Sequence, residues 1–276
     1  MKKRVGDFFI YIFLILLTII TIIPFYIVVV NSTHTSFDIV TNINFIPGDA
    51  LLENISIMNK FSNVWRGLFN SIVISTAFTL ASAYFGAMAA FGFAKYQFKL
   101  KNALFTLMLL SMMIPSQVTI IGYYKLLLNM HLINSWIPFL IPFFTPGVTS
   151  VSTIFFLKGM MTDGIPNSML EAARIEGANE LYIFHRIIIP CSIPGIATMS
   201  IFNFVNSWNN YIGPLILLSD MKKFTMPVLI AAIRGAYQTY IGTMYLAIAI
   251  SMMVIVIMYL FLSKYIINGL TMGSEK

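Results

Sequence analysis

Phe8-Phe9-Ile10-Tyr11-Ile12-Phe13-Leu14-Ile15-Leu16-Leu17-Thr18-Ile19-Ile20-Thr21-Ile22-Ile23-Pro24-Phe25-Tyr26-Ile27-Val28-Val29-Val30 runs for 23 residues without a charge. A helix needs about 20 largely apolar residues to cross a bilayer, so this stretch reads as a spanning helix kinked at Pro24. It follows Lys2-Lys3-Arg4, as a signal peptide would. Its core is too long for one, however, and Asn31-Ser32-Thr33-His34 offers no small-residue cleavage site. It therefore reads as a retained first span.

Five more apolar runs follow, at about 69–94, 103–123, 136–157, 187–212 and 242–262, after the first at 8–30. The whole chain agrees: of 276 residues 58% are hydrophobic and 10% charged, with a mean hydropathy of +0.85. Soluble domains are roughly 25% charged, and a soluble globule of this length cannot hide so much apolar surface. Disorder is excluded by 24 Phe and 13 Tyr, and a disulfide scaffold by the single cysteine, Cys191. The expected fold is all-α, a polytopic bundle of six transmembrane helices. Residues 1–7 form an N-terminal segment, 8–263 the membrane domain and 264–276 a C-terminal tail.

The net charge of +7 fits topology-setting charge beside a membrane better than a nucleic-acid surface, because the basic residues form no stripe. Six spans put both termini on one side. Placing that side in the cytoplasm assigns eleven of the 17 basic residues to it, among them the clusters Lys2-Lys3-Arg4 and Lys95, Lys99, Lys101. Lys60, Arg66, Lys125, Lys222, Lys223 and Arg234 then face outward.

Two spans carry further pattern. Ser82, Gly86 and Ala90 lie four apart in the second, a smooth face suited to close helix packing. Pro115, Pro138, Pro142 and Pro146 interrupt the third and fourth. Broken helices of that kind survive where protein or a water-lined cavity satisfies the freed carbonyls.

Catalytic tools are missing. His34, His131 and His185 are dispersed, and neither a metal-ligand spacing nor a G-x-S-x-G turn occurs. Asp163-Gly164 reads as a turn before Pro166 rather than part of an acidic site. Cys191 reads as a buried, inert thiol. No phosphate loop is present, so any ATP that drives transport is bound by another polypeptide. The spans hold no acid of the kind that relays protons or sodium, which weighs against an ion-coupled carrier.

The stretch 158–186 is different: it holds four of the ten acids, Asp163, Glu171, Glu176 and Glu180, with Lys158, Arg174 and Arg186. Pro166 suits a first helical turn. Glu171 and Arg174, three apart, can pair on that helix. Gly177 can take a positive φ, end the helix and allow a second from about Asn179. The result is a knob whose surface is kept low by Ala172 and Ala173. On these residues alone it is either a docking knob or a solvated connecting loop.

Glu171-Ala172-Ala173, Gly177 after three residues, Ile187 after nine more, then Ile189 and Pro190 resemble the EAA loop of the membrane subunits of ABC importers. That family's pattern has Leu where this chain has Ile189 and usually Asp where it has Glu176. Pro24-Phe25-Tyr26, Asn70-Ser71, Ala94-Lys95-Tyr96-Gln97-Phe98, Met113-Ile114-Pro115, Ser207-Trp208-Asn209-Asn210 and Asn268-Gly269-Leu270-Thr271 are similar to the sugar-importer branch. Within it they look like the smaller permease of maltose and oligosaccharide systems; only Thr271-Met272-Gly273 departs from the usual Thr-Ala-Gly.

The resemblance implies a non-catalytic permease subunit in a bacterial plasma membrane, forming half of a sugar pathway. It implies a second permease as heterodimer partner, two ATPase subunits that bind ATP and Mg, and an extracellular or periplasmic sugar-binding protein. The chain itself carries no cofactor or metal. Glu171, Ala172, Ala173, Arg174, Gly177 and Ala178 would couple to the ATPase. Asn206, Trp208, Asn209, Asn210 and Tyr211 would serve the substrate pathway or dock the binding protein; amphipathic Trp and Tyr at a membrane interface read equally well there. The alternatives are an importer permease for an amino acid, a peptide or a metal, and an ion-coupled transporter.

Overall fold

The second apolar run forms a single helix of 32 residues, Val64–Lys95. A computed structural model describes residues 2–61, 64–144, 150–236 and 240–272. Pro146, Gly273 and Lys276 lie outside them.

The elements follow in chain order. They are α1 Lys2–Asn31, α2 Ser36–Thr41, α3 Leu51–Phe61, α4 Val64–Lys95, α5 Lys101–Ser111, α6 Ser116–Asn129, α7 Ile137–Phe144, α8 Val151–Gly164, α9 Asn167–Ile175 and α10 Glu180–Ile183. A π-helical turn, Phe184–Ile188, leads into α11 Ile189–Trp208, followed by α12 Ile212–Leu217, a 3-10 turn at Met221–Lys223, α13 Met226–Ala236 and α14 Ile241–Met272. The fold is all-helical, and Phe9–Asn31, Val64–Lys95, Glu180–Trp208 and Ile241–Ser263 are long and apolar enough to cross a membrane.

The third and fourth expected spans are not single helices. The third is split between α5 and α6, where Pro115 takes φ −60° and ψ 130° as the N-cap of α6. A proline disfavours the helical region for the residue before it, so the chain leaves the helix near Ile114. The fourth comprises α7 and the start of α8, on either side of residues 145–149.

The chain divides into two compact units. The first combines Met1–Arg66 with Val228–Val254. Helix α1 passes through Pro24 without ending, and the Thr18 and Thr21 hydroxyls donate to the Leu14 and Leu17 carbonyls at 2.7 Å. These two hydroxyls are thus satisfied within the helix, as hydrocarbon requires. The apolar window of α1 has no residue buried within the chain. Past its end, buried Asn54 donates to the Ser32 and His34 carbonyls, both at 3.0 Å, and accepts from the Thr243 hydroxyl at 3.4 Å. This amide ties the end of α1 to the start of α14. Gly242 permits the approach, since a Cβ there would collide with the His34 carbonyl.

The second unit combines Gly67–Pro227 with Ile255–Lys276. The small face of α4 does what its spacing predicts: Ser82, Gly86 and Ala90 are all buried. A Cβ on Gly86 would stand 2.8 Å from Thr153 Cγ2, so α8 packs almost against the α4 backbone. Thr153 in turn accepts a hydrogen bond from the buried Asn203 amide of α11 at 2.8 Å. Below this lies the main apolar core, where Ala87, Phe91, Leu157 and Met161 meet Ile165, Leu170, Ile183 and Phe184.

Cys191 is exposed, not buried as its apolar context suggested. Ser192 points inward and is fully buried; one step back along the helix, Cys191 turns outward. A uniformly apolar span does not reveal which of its faces is internal.

Candidate functional site

The charged stretch folds as two helices meeting at Gly177, whose φ of +84° is open to glycine at little cost. The Gly177 N–H bonds the Arg174 carbonyl at 3.0 Å and the Ala178 N–H bonds the Ala173 carbonyl at 3.0 Å. That pair is the Schellman termination of α9. Pro166 caps the other end rather than entering the first turn, with φ −65° and ψ 141°. Asn179 then caps α10, its Oδ1 accepting from the Tyr182 N–H at 2.8 Å. Asp163 and Gly164, expected as a turn, form the last turn of α8.

The hairpin is rooted in the core. Leu170, Ile183 and Phe184 are buried, and each such side chain removed from water contributes roughly 1.5–3 kcal/mol. Ala173 and Ala178 pack on the same cluster. Glu171, Ala172, Arg174 and Gly177 are exposed.

The expected pairing of Arg174 with Glu171 does not form. The reversal at Gly177 brings Glu180 to Arg174 instead, with Nε to Oε1 at 2.8 Å and Nη2 to Oε2 at 3.3 Å. A forked guanidinium gains more from two oxygens than from a neighbour one turn away. Tyr96, just past α4, donates its hydroxyl to Glu180 Oε2, and Arg174 lies over the Tyr96 ring at 5.8 Å. The hydrogen bonds to Glu180 and then Tyr96 hold the Arg174 guanidinium above its ordinary range. Burial pushes the Tyr96 phenol up and the bond to Glu180 adds to this, so the phenol stays a donor.

Sequence reasoning missed the apolar part of this surface. Ile175 is 88% exposed, and Leu181 and Tyr182 are also exposed. The signal was available: Ile175 is five residues from buried Leu170, about 140° around the helix. A hollow of about 510 Å³ lies beside them, bounded by Ala173, Glu176, Gly177, Ala178, Asn179 and Tyr182.

The second set of expected residues sits at the other end of the 29-residue helical stretch Glu180–Trp208. At 1.5 Å per residue that is about 43 Å, close to a full bilayer with its headgroups. Asn206, Asn209, Asn210 and Tyr211 come together, with Gln117 and Ile120 of α6, around a cavity of about 520 Å³. Trp208 does not join them. It is 1% exposed and stacks on Phe204 with ring centroids 5.6 Å apart, so its aromatic face is used inside the protein. Gln117 lies some 90 positions upstream, and only tertiary folding brings it to this cavity. Among the described residues no group of three or more His, Cys, Asp or Glu is placed to hold a metal ion.

Comparison with known proteins places this geometry in context. Residues 82–271 match the family described as binding-protein-dependent transport system inner membrane component. The chain is 30% identical over 268 residues to the arabinooligosaccharides transport system permease protein AraQ of Bacillus subtilis, covering 96% of this chain and 94% of that one. It is 30% identical over 254 residues to the melibiose/raffinose/stachyose import permease protein MelC of the same organism, covering 92% and 91%. Its fold is similar to that of a chain in a bacterial ABC transporter involved in the import of the acidic polysaccharide alginate. The TM-score is 0.78 at 18% identity, over 96% of this chain and 97% of that one.

Proposed function

Since this chain belongs to the binding-protein-dependent transport system inner membrane components, we propose that it forms half of the translocation pathway for a sugar or oligosaccharide. It is a multi-pass membrane protein, a permease subunit of an ABC importer and not an enzyme. The sugar assignment is supported by the names of its relatives, the arabinooligosaccharide and melibiose/raffinose/stachyose permeases.

The remaining parts of the assembly follow as our reading. A second permease completes the pore as a heterodimer. Two ATPase subunits dock from the cytoplasm on α9 and α10, and a sugar-binding protein delivers solute on the other side. Both termini are cytoplasmic, six crossings build the membrane domain 8–263, and α5 with α6 and α7 with α8 supply the third and fourth. Glu171, exposed and without an ion pair among the described residues, takes a donor on the ATPase. Ala172 and Ala173 give it clearance, Arg174 and Ala178 hold the hairpin, and Gly177 sets its angle. Asn206, Asn209, Asn210 and Tyr211 form the outer mouth, with Trp208 supporting them from within. Solute-loaded binding protein and ATP each favour one of two states of the pore through contacts made only in that state.

The observation that carries the docking assignment is the exposure of Ile175, Leu181 and Tyr182 on a hairpin fixed to the core behind it. Large apolar side chains held rigidly at a surface mark an interaction site. The test is to tag this chain, extract it in mild detergent and identify its companions by mass spectrometry. A second permease and a subunit with a phosphate loop are expected. Recovery of the chain alone, transporting under an ion gradient, would overturn the reading. Glu171→Lys should leave the chain in the membrane and release the ATPase.

A further inference from the structure

A second chamber, of about 300 Å³, adjoins the polar mouth and shares Ile120, Asn206, Asn210 and Gly213 with it. Resting on the sugar reading above, we propose that this chamber is a subsite for one uncharged sugar ring, so that this permease itself holds part of the substrate.

The first support is a pair of hydroxyls. Ser75 of α4 is 1% exposed and Thr225 is 5% exposed, both line the chamber, and neither side-chain oxygen has a hydrogen-bond partner among the described residues. Buried polar groups without partners are rare in folded proteins and call for a reason. Nor does Thr225 sit there by looseness of its loop. The Asn70 amide donates to the Lys222 and Phe224 carbonyls at 3.0 and 2.8 Å, and the Met226 N–H donates to the Ser71 hydroxyl at 2.8 Å. The backbone is therefore strapped to α4 on both sides of Thr225, which fixes its distance from Ser75 before any ligand arrives.

The walls are the second support. Phe78, Tyr123 and Phe139 line the chamber, and the Tyr123 hydroxyl is already spent on the Pro138 carbonyl at 3.2 Å. What remains is aromatic surface suited to the C–H faces of a sugar, set against hydroxyls suited to its O–H groups. Among the described residues no charged side chain lines the chamber. An anionic ligand would lose its hydration there with no cation to replace it. The volume lies at the low end of small-molecule pockets, roughly 300–1,000 Å³, which suits a single ring. The adjoining 520 Å³ cavity, with its amides at Asn206, Asn209 and Asn210, gives a longer sugar somewhere to continue.

The assembled importer tests this with two kinds of variant. In a Cys191→Ser background, Ser75→Cys places a thiol in the chamber, and mass spectrometry of this chain follows its labelling by a small methanethiosulfonate. Melibiose, raffinose and arabinotriose are the probes, with sn-glycerol 3-phosphate as the anionic control, and uptake of each is measured in parallel. A transported neutral sugar should slow labelling about fivefold or more, and the control should not. Thr225→Val should raise KM for that sugar by about fivefold, the effect of losing one neutral hydrogen bond, at unchanged yield of the complex. Because the Thr225 hydroxyl has no partner among the described residues, its removal breaks no hydrogen bond of the fold, and a role confined to structure would leave KM unmoved. Unchanged labelling and unchanged KM with a sugar that is transported would overturn the subsite alone. Uptake of no neutral sugar by the intact importer would overturn the sugar reading and the subsite with it.

Discussion

Lys95 and Tyr96 are adjacent in sequence and hold opposite ends of the same short helix. The Lys95 ammonium donates to the Ile165 carbonyl at 2.5 Å and the Thr162 carbonyl at 3.4 Å, where the chain enters α9. The Tyr96 hydroxyl bonds Glu180, and through it Arg174, where the chain leaves α9. Lys101 donates to the Tyr96 carbonyl at 2.7 Å and fixes the turn that presents both residues. Helix α4 also supplies Ser71, Ile74, Ser75 and Phe78 to the inner chamber. Twenty residues of continuous helix, about 30 Å, thus join the chamber to the clamp.

Removing one jaw of that clamp should loosen coupling without unfolding the protein. Tyr96→Phe deletes a hydrogen bond worth about 1 kcal/mol and keeps the ring under Arg174. The assembled importer should retain basal ATPase activity while the ATP hydrolysed per solute transported rises by up to about fivefold. Parallel assays of hydrolysis and uptake in proteoliposomes measure that ratio, and an unchanged ratio would remove Tyr96 from the coupling path.

Substitutions at Gly177 should be graded by backbone preference alone. A Cβ there meets nothing within 4 Å, but φ is +84°. A left-handed conformation costs an ordinary L-residue roughly 1–2 kcal/mol and asparagine less. ATPase retention on affinity beads should fall in the order Gly177, Gly177→Asn, Gly177→Ala, Gly177→Val. Equal retention by all four would mean that the hairpin angle does not matter to docking.

Ile175→Ser should separate docking from stability. The side chain is 88% exposed, so the thermal midpoint of the purified chain should stay within error. An anchoring residue at an interface contributes about 2 kcal/mol or more, so ATPase affinity should drop roughly 30-fold. A titration of purified ATPase against the two proteins distinguishes this from no effect.

Two glycines of α4 should behave differently. Gly86→Val would press on Thr153 and disturb its bond to Asn203, costing about 1–3 kcal/mol as overpacking. Gly92 has open space around its Cβ position, and Gly92→Ala should be neutral or slightly stabilising through helix propensity. Thermal unfolding in detergent, followed by fluorescence, tests both.

Much of this was legible in the chain itself. The long apolar runs at α1, α4, α11 and α14 needed only their length and lack of charge. Gly177, Asn179 and the small face at Ser82, Gly86 and Ala90 carry their geometry in residue type. What failed to show depended on partners distant in sequence. Arg174 chose Glu180 over Glu171 because a turn intervened, and Trp208 turned inward because Phe204 and the bundle offered it a place. Gln117 and Thr225 reached the mouth and chamber from segments that carry no mark of either. Cys191 shows the same limit, since an apolar span looks alike on every side until its neighbours are known.

The π-helical turn at Phe184–Ile188, closed by the Ile189 N–H on the Phe184 carbonyl, acts as an angular offset built into a shaft. An α-helix advances about 100° per residue, so one residue more or less in that turn changes the azimuth of everything beyond it. Deleting a single position there would swing Asn203 off Thr153 and carry Asn206, Asn209 and Asn210 around the axis by more than a quarter of a rotation, with almost the same amino acids present. The hairpin and the residues at the far end of α11 are therefore held in fixed angular phase. Grafting the hairpin of a relative onto this chain should succeed when the splice preserves the length of that turn, and fail by misalignment when it does not.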